Sequence, residues 1–304
     1  MLDHFIWEVV VCPAVIAVAA RYLADRLRPA AALTFLVTAI AAAAAGCLVT
    51  LTAFTLKAAA ELPATGALLH FSDRYVRADT AAAPWVSWLS VAMLAAALAA
   101  MAVTWRRHRH DVRFARRYAT LPATDGLVLL DDDRPEAFAV PGDGGRIVVT
   151  TGMRAALDDT QYAALLAHER AHLAGRHHRL VLIARLAAAV HPAFRWLTRR
   201  IDYLVERAAD ERAAAELDNR RAVARAIGTA ALVSVGATGL RMAPSGPDLR
   251  RAGAVPRRVA SLLSPLRARS PLPLAIPLAA GLFSLAWTAE CVYDLGELLA
   301  AAHL

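Results

Sequence analysis

Long apolar runs alternate with short polar segments in the first third of the chain and return near its end. Four runs approach or exceed the roughly 20 apolar residues that a helix needs to cross a bilayer. They are Phe5–Tyr22, Ala30–Leu56, Pro84–Trp105 and Leu272–Val292. The pattern therefore predicts four transmembrane helices, three of them placed before the middle part of the chain.

The middle part of the chain has a shorter and more mixed pattern. Leu127–Leu130 and Arg146–Thr150 are rich in apolar and β-branched residues and are bounded by Gly and Pro, which favours strands. A helix then covers Thr160–His172, with Asp158 or Asp159 as its N-terminal cap. This part of the chain therefore predicts a small domain that combines a short sheet with helices.

Two further apolar stretches are less clear membrane spans. Leu180–Leu197 is interrupted by Arg185 and Pro192, so we expect it to pack under the preceding helix or to dip into the membrane interface. Ala222–Leu240 is moderately apolar and contains several glycines. We interpret it as a packed helix, and a fifth transmembrane span is the open alternative.

Composition agrees with a membrane protein, because 58% of the residues are hydrophobic and the mean hydropathy is +0.42. The positive-inside rule uses the arginines that flank the apolar runs. They are Arg21, Arg26 and Arg28 after the first run, Arg106, Arg107, Arg109, Arg113, Arg116 and Arg117 after the third, and Arg250, Arg251, Arg257, Arg258, Arg267 and Arg269 before the fourth. They predict a multi-pass protein of the cell (inner) membrane, with both termini outside and the middle domain in the cytoplasm.

The arginines that flank the apolar runs also account for the net charge of +8. Arginines beside membrane spans meet anionic lipid headgroups of the bilayer. No basic patch with interleaved aromatic residues lies elsewhere, so we expect no direct nucleic-acid binding. Arg106–Leu121 is predicted to be a basic helix that lies on the inner leaflet.

The candidate chemistry begins with the sequence His168-Glu169-Arg170-Ala171-His172. A spacing of four places both histidines on one helix face, where they can hold one zinc ion. Glu169 then lies beside the metal, in the position of a general base that activates water. The motif alone leaves open two surface histidines on a charged helix.

A third ligand is predicted downstream, because a catalytic zinc takes three protein ligands and keeps one position open. Glu206 follows His172 by 34 residues, which is enough chain for a helix to end and another to return antiparallel. Asp210 lies one helical turn further and would accept a hydrogen bond from a ligand histidine. An ordinary solvated helix is the alternative for both carboxylates.

These motifs resemble the gluzincin metallopeptidases that carry an E-x-x-x-D third-ligand motif. Two branches share it: the BlaR/MecR-like membrane antirepressor peptidases, and the HtpX-like and CaaX prenyl-protease branch. The resemblance covers about residues 127–215, and Val190-His191-Pro192 is similar to a short element of the first branch. It implies that His168, His172 and Glu206 bind one Zn²⁺ per chain and that Glu169 is the catalytic base. Asp210 would accept a hydrogen bond from one of the ligand histidines.

The resemblance also implies a substrate site. A strand such as Arg146–Thr150 would form the edge of the sheet beside the zinc, so Ile147, Val148 and Val149 are candidates to bind peptides by strand addition. A purely structural strand is the alternative. His191 is a candidate oxyanion or substrate contact, although a histidine before proline is more often structural. His177 and His178 are expected at the surface or behind the metal ligands.

The fold class expected from all of this is α+β: a multi-span helical membrane protein with a small helical gluzincin domain that carries a short β-sheet. The expected domains are a membrane module at 1–105, a peptidase domain at 106–270, and a fourth span with a short tail at 271–304. The expected function is a membrane zinc endopeptidase whose partners are the bilayer and a protein or peptide substrate, here a cytosolic transcriptional repressor. Alternatives are an HtpX-like quality-control protease and a non-catalytic zinc scaffold, and the oligomeric state stays open.

Overall fold

The computed structural model describes residues 1–23, 27–142, 144–237, 254–264 and 275–303. Helices dominate these ranges, and three short strands form one sheet. The α-helices are α1 Leu2–Ile6, α2 Cys12–Leu23, α3 Pro29–Ala60, α4 Pro63–Leu69, α5 Asp73–Ala78, α6 Trp85–Arg116, α7 Thr151–Ala156, α8 Asp159–Ala174, α9 His177–Val190, α10 Arg195–Glu216, α11 Arg220–Ala237, α12 Ala254–Leu263 and α13 Ala275–Ala301. The strands are β1 Leu127–Leu130, β2 Ala137–Val140 and β3 Arg146–Thr150.

Three helices of the described ranges are long and apolar enough to cross a membrane. They are Leu2–Ala19, Pro29–Ala60 and Trp85–Arg116, and the first of these joins α1 and α2 through a π-helical turn at Trp7–Val11. They overlap the first three predicted spans. The fourth predicted span falls mainly in α13, with residues 272–274 outside the described ranges, and its membrane crossing stays a prediction.

Helix α6 corrects one expectation. It continues without interruption for 32 residues to Arg116, so the predicted juxtamembrane helix is the end of α6 itself. A helix of this length extends about 48 Å, which exceeds the roughly 30 Å hydrocarbon thickness of a bilayer. If α6 crosses a membrane, its arginine-rich end therefore projects away from the bilayer and does not lie flat on it.

Both ends of the chain meet the loop that follows α3. The amino group of Met1 lies 3.9 Å from a carboxylate oxygen of Asp79, and the Ser72 N–H donates to the Ala302 carbonyl at 2.8 Å. These contacts place the N-terminus, the loop and the end of α13 at one end of the helix bundle. Which side of a membrane this end faces stays a prediction.

A buried polar contact joins three helices inside the bundle. The Ser284 hydroxyl of α13 donates to the Glu8 carboxylate at 2.8 Å, and Glu8 is completely buried. Gly46 of α3 faces this pair so closely that an added Cβ would lie 2.6 Å from a Glu8 oxygen. Glycine is therefore required at this point of α3 for the three helices to approach one another.

Helices α9 and α10 form a hairpin that packs against the long helices. Phe194 and Leu197, where the chain enters α10, are buried in the same core as Val9 and Leu33. Contacts between α9 and α8 are few, because α9 lies against α3 and α6. The expectation that this segment packs under the zinc helix is therefore corrected: it packs beside the candidate membrane helices.

The sheet has the strand order β1-β3-β2. Strand β3 pairs in parallel with β1, and antiparallel with β2, and Ile147, Val148 and Val149 have partners on both sides. A fully paired central strand has no free backbone groups for a peptide. The expectation that these three residues form a substrate-binding edge is therefore wrong. Among the described residues, the free edges of the sheet belong to β1 and β2.

Helix α11 packs within the middle domain. Val223 and Ala226 of α11 are buried against Ala164 and Ala167 of α8 and Leu262 of α12. Within the described ranges α11 is not among the helices apolar enough to cross a membrane. The structure thus favours the packed helix over the fifth span, and residues 238–240 of that prediction lie outside the described residues.

Candidate metal centre

Helix α8 begins with a capping box that fixes its first turn. The Asp158 side chain accepts from the Gln161 N–H at 2.8 Å, and the Gln161 side chain accepts from the Asp158 N–H at 3.3 Å. Alanines at 164, 167 and 171 are buried and allow α10 and α11 to approach closely. The helix thereby carries His168, Glu169 and His172 into the interior of the domain.

Helix α10 runs antiparallel to α8 and brings Glu206 to the two histidines. The Nε2 atoms of His168 and His172 are 3.0 Å apart, and the Glu206 oxygens lie 3.5 Å from the first and 3.7 Å from the second. Tetrahedral zinc with bonds of about 2.0–2.1 Å separates its ligand atoms by about 3.3 Å. The three side chains therefore fit a single zinc ion.

The second ring nitrogen of each histidine has a neighbour. A carboxylate oxygen of Asp210 lies 3.0 Å from Nδ1 of His168, at an angle short of a well-formed hydrogen bond. Nδ1 of His172 lies 3.0 Å from Nδ1 of His177, which is buried. Such neighbours orient ligand rings, so His177 is placed behind the metal ligands, as expected, while His178 is half-buried.

Arg258 of α12, which the sequence pattern placed only among the arginines before the fourth apolar run, lies in the candidate metal centre. Its guanidinium binds both oxygens of Asp210, at 2.7 and 2.8 Å, and a Glu206 oxygen at 3.0 Å, and it is 5% exposed. It therefore ties the proposed third ligand to the carboxylate behind His168. Planar arginine suits such two-carboxylate recognition better than lysine does.

The buried charges shift one another's pKa values. Burial alone would lower the pKa of His168, but the carboxylates of Asp210 and Glu206 raise it to about 10. Burial, together with the nearby charge of His168, lowers the pKa of His172 to about 3. Burial would raise the pKa of Glu206, but His168 and Arg258 hold it well below its ordinary value. Without metal, the cluster thus keeps a proton on His168 where a dication would bind.

Glu169 points toward the sheet. The backbone N–H of Ala139 in β2 lies close enough to its carboxylate to oppose the rise of its pKa, and Glu169 is 8% exposed. Burial raises its pKa, a direction that suits a group required to take up a proton. The candidate base therefore lies between the two histidines in sequence and beside the free edge of β2.

His191 lies away from the three candidate metal ligands. Its Nε2 contacts the Val9 carbonyl at 2.9 Å, and its Nδ1 accepts from the Ala193 N–H at 3.3 Å. His191 precedes the first residue of α10, Arg195, which itself lies about 16 Å along the helix from Glu206. The structure thus gives His191 a structural role in the hairpin and does not bring it to the metal ligands.

The comparisons with known proteins agree with this geometry. A family model described as peptidase family M48 matches residues 105–259, about half of the chain. The matched range contains the sheet, the His168, His172 and Glu206 cluster, and Arg258. The comparisons with curated proteins and with solved structures gave no match.

Proposed function

The chain belongs to peptidase family M48, and from this premise we propose that it is a membrane-integral zinc endopeptidase. Members of the family are zinc-dependent metallopeptidases. The observation that carries the proposal is the grouping of His168, His172 and Glu206 on two antiparallel helices, with Glu169 beside them. Three protein ligands leave one coordination position for substrate and water, as catalytic sites require.

The chain's own residues supply the remaining chemistry. A zinc ion held by His168, His172 and Glu206 would provide Lewis-acid activation of water and of the substrate carbonyl. Glu169 takes the proton from the attacking water and delivers it to the leaving nitrogen of the cleaved peptide bond. Asp210 and His177 hold the two imidazoles in orientation, and Arg258 holds the two carboxylates.

Strand β2 is the proposed docking edge for the substrate backbone. The Thr150 N–H donates to the Glu136 carbonyl, so backbone groups of residues 136, 138 and 140 face β3, and those of Ala137 and Ala139 face the free edge. Ala139 reaches Glu169 from this edge. A peptide added alongside β2 would therefore place its backbone next to the candidate base.

The natural substrate is proposed to be a cytosolic repressor-type protein. Support comes from the Val190-His191-Pro192 element similar to the BlaR/MecR-like branch, and from the arginine distribution that predicts a cytoplasmic peptidase domain with both termini outside. An HtpX-like protease that degrades misfolded membrane proteins shares the same chemistry. A non-catalytic zinc scaffold has no use for a base at Glu169.

The test compares newly formed protein N-termini in cells that express the wild type or Glu169→Gln. This variant keeps the three ligands and removes the base. Glu216→Gln is the matched control, because Glu216 is an exposed carboxylate at the far end of α10. One dominant cut in a soluble repressor, lost only in Glu169→Gln, would support the proposal in full.

Other outcomes separate the alternatives. Many cuts in unrelated membrane proteins would support the quality-control protease and overturn the repressor substrate. Identical N-termini in wild type and Glu169→Gln, from cells in which both proteins contain zinc and the proposed repressor is co-expressed, would overturn the peptidase function.

A further inference from the structure

One face of α10 continues beyond the metal centre as a polar stripe. Arg195, Arg199, Asp202 and Glu206 are spaced by four, three and four residues and therefore share this face. The opposite face, which includes Leu197, Ile201 and Leu204, is buried in the core with α3. Helix α8 covers the Glu206 end of the stripe but ends at Ala174. Toward the hairpin turn the stripe is thus open.

The open part of the stripe is mainly positive. Arg195 and Arg199 are exposed, and within the described ranges no carboxylate lies at ion-pair distance from either guanidinium. Arg185 of α9 is also exposed and interacts electrostatically with Asp202, which is the group nearest to Glu206. The surface therefore offers three positive charges and one negative charge in a fixed order that starts at the metal centre.

The position of the hairpin indicates that this stripe does not face lipid. His191 at the turn contacts the Val9 carbonyl in the first candidate span, and Phe194 shares a core with Cys12 and Ile16. The first turns of α10 therefore lie beside apolar helices. An arginine exposed to the hydrocarbon centre of a bilayer is strongly disfavoured. The stripe must instead face water or a polar partner.

We propose that this stripe, formed by Arg185, Arg195, Arg199 and Asp202, is a docking track that selects protein substrates with acidic residues on one side of the cleaved bond. The inference rests on the proposed peptidase function. A substrate is favoured over anionic lipid because the stripe is continuous with Glu206, and because Asp202 interrupts the positive charge at a defined place. An anionic lipid surface has no charge order for such a pattern to match.

The spacing along α10 sets the register of this recognition. Arg199 precedes Glu206 by seven residues and Arg195 by 11, which correspond to about 10 and 16 Å of helix. An extended peptide advances about 3.3 Å per residue. Acidic side chains about three and five residues from the cleaved bond would therefore meet Arg199 and Arg195.

The experiment uses the zinc-loaded full-length protein in neutral-lipid nanodiscs and quenched-fluorescent peptides. One peptide set carries Asp three and five residues from the cleaved bond, on either side, and its matched set carries Asn there. The readout is the ratio of kcat/KM between the sets, in wild type and in the Arg195→Glu/Arg199→Glu variant. Arg225→Glu on the exposed face of α11 is the single-site control. We expect wild type to prefer Asp by up to about fivefold for each arginine engaged, and the double variant to lose this preference.

A binding measurement makes the outcomes distinguishable. The Asp and Asn peptides are titrated into zinc-loaded Glu169→Gln, with and without the two arginine substitutions, and followed by fluorescence anisotropy. Asp-dependent binding that vanishes with the arginines, but without cleavage by wild type, would support the track and overturn the peptidase function. Equal binding of both peptide sets, or an Asp preference that survives the double substitution, would overturn the track. A variant effect that appears only in nanodiscs with anionic lipid would assign the stripe to lipid headgroups and overturn the substrate role.

Discussion

Arg258 and Glu206 lie on different helices, yet the Nη1 atom of the first is 3.0 Å from a carboxylate oxygen of the second. The same guanidinium binds Asp210, whose other neighbour is His168. Helix α12 is therefore connected to the proposed metal ligands through one buried side chain. The geometry of the metal centre depends on a residue outside both zinc motifs.

We expect Arg258→Ala to lower the free energy of unfolding by about 3–5 kcal/mol, because it leaves two buried carboxylates without their cation. Arg258→Lys should recover part of this loss, since a single ammonium group cannot bind both carboxylates as the guanidinium does. Arg170→Ala is the control: Arg170 pairs with Glu216 at the surface, where the cost is about 0–1 kcal/mol. Chemical unfolding of the purified proteins measures the three values, and equal losses for Arg258→Ala and Arg170→Ala would contradict the role of Arg258.

Zinc binding to the metal-free protein should release about one proton at about pH 6. The pKa of His168 is raised to about 10 and that of His172 is lowered to about 3, so only His168 carries a proton that the metal must displace. Calorimetric titration in two buffers of different ionisation enthalpy counts the protons. Asp210→Asn should reduce the count, and the absence of any release by the wild type would show that His168 is already neutral.

The raised pKa of His168 also makes the stability of the metal-free protein depend on pH. Its pKa rises from 6.5 to about 10 on folding, so its contribution is complete below the unfolded-state value and is lost as the pH rises through about 10. We therefore expect the metal-free protein to become less stable between these two pH values. Melting temperatures across this range measure the effect, and zinc-loaded protein is the control, because its His168 carries no proton to lose.

The sequence predicted those parts of the site that are close in the chain or have a recognised spacing. His168 and His172 lie one helical turn apart, and Glu206 follows at a distance that a returning helix can span. Arg258 lies 48 residues beyond Asp210 in a chain with 34 basic residues, so only the tertiary structure distinguishes it from the other arginines. Two adjacent arginines at the start of an amphipathic helix were the only available signal.

The order of the strands in the sheet could not be predicted from the sequence either. Apolar and β-branched content predicted that Arg146–Thr150 is a strand, which the structure confirms. Chain order does not determine which strand is central, because β3 inserts between β1 and β2 only once long-range pairing is formed. Likewise, the sequence predicted a helix after Trp105, but the change from apolar to basic residues gave no sign that this helix is continuous with the third span.

A proline on the free edge of β2 should weaken substrate docking without disturbing the fold of the sheet. The Ala137 N–H points to the free edge of β2, so Ala137→Pro removes a donor for the substrate and leaves the pairing with β3 in place. We expect a several-fold lower kcat/KM at unchanged zinc content. Leu129→Pro is the control on β1, because Leu127 donates away from β3 to Thr124 and Leu129 follows in the same alternation. Equal activity losses in both variants would contradict docking at β2.

Gly46→Ala should weaken the packing of α3 against α13 and the π-helical turn Trp7–Val11. The added Cβ would lie 2.6 Å from a Glu8 oxygen and 2.9 Å from the Thr288 hydroxyl, so the helices must separate or the side chains must move. Overpacking of this kind costs about 1–3 kcal/mol. Gly296→Ala in α13 meets no atom within 4 Å and is the control. Thermal unfolding in detergent compares them, and an unchanged melting temperature for Gly46→Ala would show that the contact is not tight.

Helix α6 connects the N-terminal end of the bundle to the sheet beside Glu169. It is one uninterrupted helix of 32 residues, and just beyond it the ring of Tyr118 packs on Phe138 of β2 with centroids 5.2 Å apart. A tilt of about 5° around Trp85 would move the far end of a rod of about 48 Å by about 4 Å. That displacement is longer than a hydrogen bond. It would move β2, the strand that lies next to Glu169. A small tilt at the start of α6 would therefore displace the sheet beside the candidate base Glu169.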